Sequence, residues 1–169
     1  MKWNEQGSQD AARYAVVPRT LVFLTYGEEV LLLRGATDKR LWPGRLNGVG
    51  GHVEPGEHPL DGARREVLEE TGLAVTDLRL RAIVHVQGQG ASPGVMLFVF
   101  VGRAPSREVR PGREGALAWY PISALPRDEL MADLAELLPR ALDERRFTFG
   151  LYRPDPATGQ LSFQFESES

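Results

Sequence analysis

The sequence predicts an α+β chain, or a layered α/β/α arrangement, built on a mixed β-sheet. Three observations lead there. Short apolar runs bounded by turn residues come first, then one helical segment, then further strands, a second helical segment and a closing hairpin. Val95-Met-Leu-Phe-Val-Phe-Val101 is apolar throughout, as a strand covered on both faces should be. Two stretches, Pro59 to Thr71 and Asp128 to Leu142, change to apolar spacing of three and four.

The elements follow in order. Leu21 to Leu24 and Val30 to Leu33 read as a hairpin around Thr25-Tyr-Gly-Glu-Glu29. Gly35 to Arg45 is a loop, and Asn47 to Val53 a short strand. The first helix has Pro59 in its opening turn, where a missing N–H is harmless. Leu60, Ala63 and Val67 form its apolar stripe, and Gly72 sits where a C-cap glycine belongs. Leu78 to Val86 alternates as a strand, Gln87 to Gly94 is a loop, and Gly102 to Gly115 is another. Leu117 to Tyr120 is a short strand ended by Pro121. Leu130, Leu134, Leu137, Leu138 and Ala141 give the second helix its stripe, with a kink or early stop expected at Pro139. Phe147 to Tyr152 and Leu161 to Phe165 alternate as a final hairpin, and the last four residues should fray.

Length and composition narrow the class. The 169 residues suit one domain with a full core, here residues 14–166, preceded by a flexible arm at 1–13. A net charge of −3 argues against a nucleic-acid duplex as partner. The absence of cysteine excludes disulfides and thiol chemistry. No apolar signal core or membrane-length run is present, which leads to the expectation of a cytoplasmic protein with no membrane partner.

The first helix carries its charges in the wrong order. Arg64 and Arg65 lie in the earlier half, and Glu66, Glu69 and Glu70 crowd the end, against the helix dipole. The three glutamates are spaced to share a face, where like charges cost roughly 0.2–0.5 kcal/mol per pair. A hard divalent cation such as Mg2+, which takes oxygen ligands, would relieve that repulsion. The glycine-rich turn Asn47-Gly-Val-Gly-Gly51 just upstream can bring backbone close to a ligand, and Glu57 adds another acid.

Gly51, Glu57, Arg65, Glu66, Val67, Glu69, Glu70, Gly72 and Leu73 fill every defined position of the Nudix box, G-x5-E-x7-R-E-U-x-E-E-x-G-U. Nine fixed positions make the match specific, and the chain resembles a Nudix hydrolase. The resemblance implies the Nudix fold, a mixed sheet sandwiched between helices, and hydrolysis of a nucleoside diphosphate linked to another group with Mg2+ or Mn2+. It implies Glu66, Glu69 and Glu70 as metal-binding and catalytic glutamates, with the Gly50–Gly51 backbone carbonyls, Gly51 in particular, as candidates for a further oxygen ligand. Arg65 and Glu57 orient the carboxylates. Glu114, outside the box, is a candidate for assisting metal or water. Either Glu66 or Glu70 is the group that takes the proton from water.

Beyond the box the chain is similar to MutT-type 8-oxo-purine nucleoside triphosphatases, over about residues 18 to 153. Thr20-Leu-Val-Phe-Leu, Gly44-Arg-Leu-Asn-Gly-Val-Gly-Gly51, Leu137-Leu-Pro-Arg-Ala-Leu and Phe147-Thr-Phe-Gly-Leu-Tyr carry that likeness. It implies substrate contacts from Thr20, Asn47, Met131 and Asp133. Three positions depart from the pattern: Leu46 and Met131 replace tryptophans, and Leu134 replaces a second recognising aspartate. The implied activity is a nucleoside triphosphate pyrophosphatase acting on 8-oxo-dGTP or a related purine dNTP, as monomer or homodimer. The alternatives are another nucleoside diphosphate derivative, such as a sugar nucleotide or dinucleoside polyphosphate, or a non-catalytic nucleotide-binding domain.

Overall fold

The computed structural model describes residues 14–36, 43–90, 92–110 and 115–168. The expected arm at 1–13 and Glu114 lie outside the described residues. The strands are β1 (Val16–Tyr26), β2 (Glu29–Gly35), β3 (Leu46–Asn47), β4 (Leu78–Val86), β5 (Gly94–Arg103), β6 (Gly115–Pro121), β7 (Phe147–Pro154) and β8 (Leu161–Glu168). The helices are α1 (Pro59–Thr71) and α2 (Leu134–Leu142).

The strands form one mixed sheet in the order β3-β2-β1-β5-β4-β7-β8, with β6 paired to β2. β1 runs parallel to β5 and β4 parallel to β7, and the other pairs are antiparallel. Alternation sorts the apolar residues onto the two faces. Val22, Leu24, Leu31 and Leu33 pack with Ala63 and Val67 of α1. Leu21, Phe23, Val30 and Leu32 pack with Leu134, Leu137, Leu138 and Ala141 of α2. Each helix therefore covers one face of the sheet, as the Nudix fold requires, and β1 and β2 read as apolar runs because both their faces are buried.

Several boundaries move, each for a local reason. β1 begins five residues before Leu21 and passes through Pro18. The Pro18 carbonyl faces Val53 N–H at 3.1 Å, on the side away from β5, so its missing N–H removes nothing from the β1–β5 ladder. The strand expected over Asn47 to Val53 shrinks to the two residues of β3 plus single bridges at Val49 and His52. The second helix starts at Leu134 rather than Asp128. Residues Arg127–Glu129 form a 3₁₀ turn instead, and Leu130 is extended and bridged to Leu46, with Met131 N–H donating to the Leu46 carbonyl at 2.9 Å. Arg45 and Arg34 hold that turn through Asp128 O and the Glu129 carboxylate. Helix α2 continues three residues past Pro139, without the expected stop. Burial of Leu134, Leu137 and Leu138, worth about 1.5–3 kcal/mol each, exceeds the roughly 3 kcal/mol that an internal proline costs. The closing residues Glu166 to Glu168 do not fray, since they pair with Phe149, Thr148 and Phe147 in the β7–β8 ladder.

Candidate active site

Helix α1 is fixed at both ends. His58 is its N-cap, its ring accepting from Asp61 N–H at 3.4 Å, and Pro59 follows it. Gly72 closes the helix in the left-handed region, with φ 74°, and its N–H donates to Leu68 O. Between them, Ala63 and Val67 anchor the helix on the sheet. The same inward side carries Glu70, only 6% exposed, so the last box glutamate lies under the helix and not on its solvent face.

The glutamates do not behave as one face. Glu70 Oε2 accepts the Gly50 N–H at 3.0 Å. Glu66 lies against Gly51 so closely that an added Cβ there would collide with both its carboxylate oxygens. Glu69 points outward, its side chain 60% exposed. Glu66, Glu70 and the Gly50–Gly51 backbone thus meet at one place. The Gly51 carbonyl accepts Thr20 N–H at 2.8 Å, which engages one of its two lone pairs in the sheet. Among the described residues, no three acidic or histidine side chains converge as a ready-made cation cage. Arg65 occupies the space between Glu66 and Glu69, with Nη1 at 2.9 Å and 3.5 Å from their carboxylates.

Arg65 is the hub of the site. Its Nε and Nη2 grip both oxygens of Glu57 at 3.2 and 2.8 Å, and Nη2 also donates to His52 O at 3.0 Å. This paired geometry is what a guanidinium offers a carboxylate and an ammonium does not. Glu57 accepts Glu54 N–H as well, at 2.8 Å. The Arg65 guanidinium, helped by that amide, holds the Glu57 carboxyl below the usual carboxylate range, and Glu57 in turn raises Arg65 further above its already high value.

The expected substrate residues fall into two groups. Thr20 is buried, with its hydroxyl turned to the Gly51 N–H at 3.4 Å. Asn47 accepts Gly48 N–H through its own Oδ1 at 2.8 Å. The Leu46–Leu130 bridge brings the Asn47 segment beside Met131, which is half-buried against the α2-side core. Asp133 is the N-terminal flank of α2 but makes no capping bond. Its Oδ2 accepts the Tyr152 hydroxyl at 2.9 Å. Burial pushes the Asp133 carboxyl up, partly offset by Tyr152 and by the neighbouring Asp133 and Leu134 amides. Burial, together with Asp133, pushes the Tyr152 phenol up in the same way. Tyr152 is the site residue that sequence reading missed. Alternation in β7 points it inward, but nothing in the spacing joins it to Asp133.

Residues 16–141 match the NUDIX domain model, and the chain belongs to that family of hydrolases. It is 32% identical over 134 residues to the mouse protein named oxidized purine nucleoside triphosphate hydrolase, covering 76% of this chain and 81% of that one. It is 29% identical over 133 residues to the NAD-capped RNA hydrolase NudC of Chromobacterium violaceum, covering 77% of this chain and 47% of that one. Among solved structures, the Mutator MutT protein from Bacillus halodurans superposes with a TM-score of 0.74 at 24% identity, over 89% of this chain and 98% of that one. That likeness supports the fold.

Proposed function

We propose that this NUDIX hydrolase is a Mg2+- or Mn2+-dependent nucleoside triphosphate pyrophosphatase, with 8-oxo-dGTP or a related purine dNTP as its leading substrate. Water adds to a phosphorus of the chain, one phosphoanhydride bond breaks, and nucleoside monophosphate and pyrophosphate leave. The observation that carries the reading is the meeting of Glu66 and Glu70 with the Gly50–Gly51 backbone, beside the segments that hold Asn47 and Asp133. The mouse relative's name supports the purine nucleotide.

The donor set fits a hard cation: two carboxylates and a backbone carbonyl, all oxygen. Glu66, Glu70 and the Gly51 carbonyl would hold it, with Glu69 able to join once it releases Arg65. A bound divalent cation supplies charge neutralisation at the phosphates and acidifies a water. The chain's residues do the rest. Arg65 fixes the Glu66 carboxylate from one side, and the Gly50 N–H fixes Glu70 from the other. Either glutamate can take the water's proton. Asn47 offers one donor and one acceptor to a purine edge, and Asp133 adds an acceptor.

The test is product analysis on a nucleotide panel with Mg2+, including sugar nucleotides and dinucleoside polyphosphates. The reading expects monophosphate and pyrophosphate from purine triphosphates. Preferred cleavage of a sugar nucleotide or dinucleoside polyphosphate would assign the other NUDIX activity. Tight binding with no turnover of any member would make the chain a binding domain.

A further inference from the structure

Half-buried Asp133 and buried Tyr152 form a polar pair that packing alone does not call for. Tyr152 is 3% exposed and stacks edge-on against Phe163 and Phe165 at 4.7 and 5.7 Å between ring centres. A phenylalanine would fill that aromatic cluster. A buried hydroxyl is instead placed so that its one donor meets Asp133 Oδ2 at 2.9 Å. Asp133 is at the start of α2 yet caps nothing, so the helix does not explain it either.

The acceptor count of the carboxylate is informative. An ionised carboxylate has about four lone-pair sites. The Tyr152 hydroxyl donates to one of its oxygens, while the Leu134 N–H is taken by the Met131 carbonyl at 3.0 Å. That single donor from β7 ties down one oxygen and leaves acceptor sites on the carboxylate for a ligand. The charged groups near the pair are Glu136 and Arg140 on the following turns of α2. Arg140 is engaged elsewhere, with the Glu136 carbonyl and over the Phe165 ring.

We infer that Tyr152 is a positioning residue for base recognition: its hydroxyl fixes Asp133 so that a remaining acceptor site meets an N–H of the purine edge. This rests on the proposed purine nucleotide reading. It also bears on Leu134, which stands where the likeness expects a second recognising aspartate. With one aspartate only, orientation of that single carboxyl sets base selectivity, and β7 supplies it.

Tyr152→Phe and Asp133→Asn are compared with the unaltered protein on 8-oxo-dGTP and dCTP, with thermal melting of each. Tyr152→Phe keeps the ring that packs on Phe163 and Phe165. The expected result is a rise of about tenfold in KM for 8-oxo-dGTP in both variants, the scale of one hydrogen bond to a charged group, with kcat moved less than about twofold. KM for dCTP stays close to its starting value. A KM effect of Asp133→Asn alone would overturn the role of Tyr152 and leave base recognition by Asp133 standing. A lower melting temperature of Tyr152→Phe without a change in KM would likewise overturn the role of Tyr152, making its contact with Asp133 purely structural. No effect of either variant, with 8-oxo-dGTP still turned over, would overturn the inference and leave the purine reading standing, whereas no turnover of 8-oxo-dGTP by the unaltered protein would overturn the purine reading and the inference with it.

Discussion

Gly51 and Glu66 are in close contact in the site. An alanine at Gly51 would drive its Cβ into the Glu66 carboxylate, the movable end of a flexible side chain. Gly51→Ala is therefore expected to lower kcat/KM by at least tenfold while shifting the melting temperature little, a separation that kinetics and thermal denaturation read together. Glu66→Gln and Glu70→Gln are expected to fold and to lose roughly 10²–10⁴ in kcat, the range for removing a proton-transfer group. Normal turnover by both with Mg2+ would remove these glutamates from the mechanism. At this scale the sequence was informative about residue identity and less so about direction. The box spacing named Glu66, Glu69 and Glu70 together, yet Glu70 faces inward to the Gly50 amide and Glu69 faces solvent. Which carboxylate turns inward depends on how α1 seats on the sheet, and spacing along a helix does not contain that.

Helix α1 came through from the sequence with its bounds intact, because Pro59, the Ala63–Val67 stripe and Gly72 are local signals for start, face and stop. Gly72→Ala is expected to cost about 1 kcal/mol or more, since φ 74° disfavours a Cβ and Arg110 packs beside it. Thermal melting of that variant measures the C-cap directly. The ion pair on the same helix gives a pH prediction. Glu57 is held below its ordinary value by Arg65, so the pair's contribution is complete above the unfolded carboxylate range and is lost as pH falls through the folded value. Arg65→Lys loses the two-pronged grip on Glu57, and its activity should fall off at a higher pH on the acid side than that of the unaltered protein. The start of α2 was illegible for the opposite reason. Leu130 fits the helical stripe, but its backbone partner Leu46 is more than eighty residues away, and a long-range bridge overrides local periodicity there.

Across the whole molecule, one sheet carries α1 with the box glutamates on one face and α2, which Asp133 precedes, on the other. The class of fold was readable from the order of apolar runs, and the sandwich from family likeness. The strand order β3-β2-β1-β5-β4-β7-β8 was not, because two parallel pairings join segments far apart in the chain. Half-buried Asp133 leaves a global signature. Its folded carboxyl binds its proton more tightly than in the unfolded chain, so stability falls as pH rises from the ordinary carboxylate value, about 3.9, through the raised one. Asp143 works in the opposite sense: Arg145 lowers it to about 2, and its contribution is lost as pH falls toward that value. Urea unfolding across the acid range should show Asp133→Asn removing the first slope and leaving the second. The ratio of kcat/KM for 8-oxo-dGTP to that for dGTP, with Mg2+ present, tests most directly whether the protein acts on an oxidised purine triphosphate. A ratio of at least tenfold, with 8-oxo-dGMP and pyrophosphate as products, is the predicted result. Equal turnover of the two nucleotides, or none of the oxidised one, would contradict it.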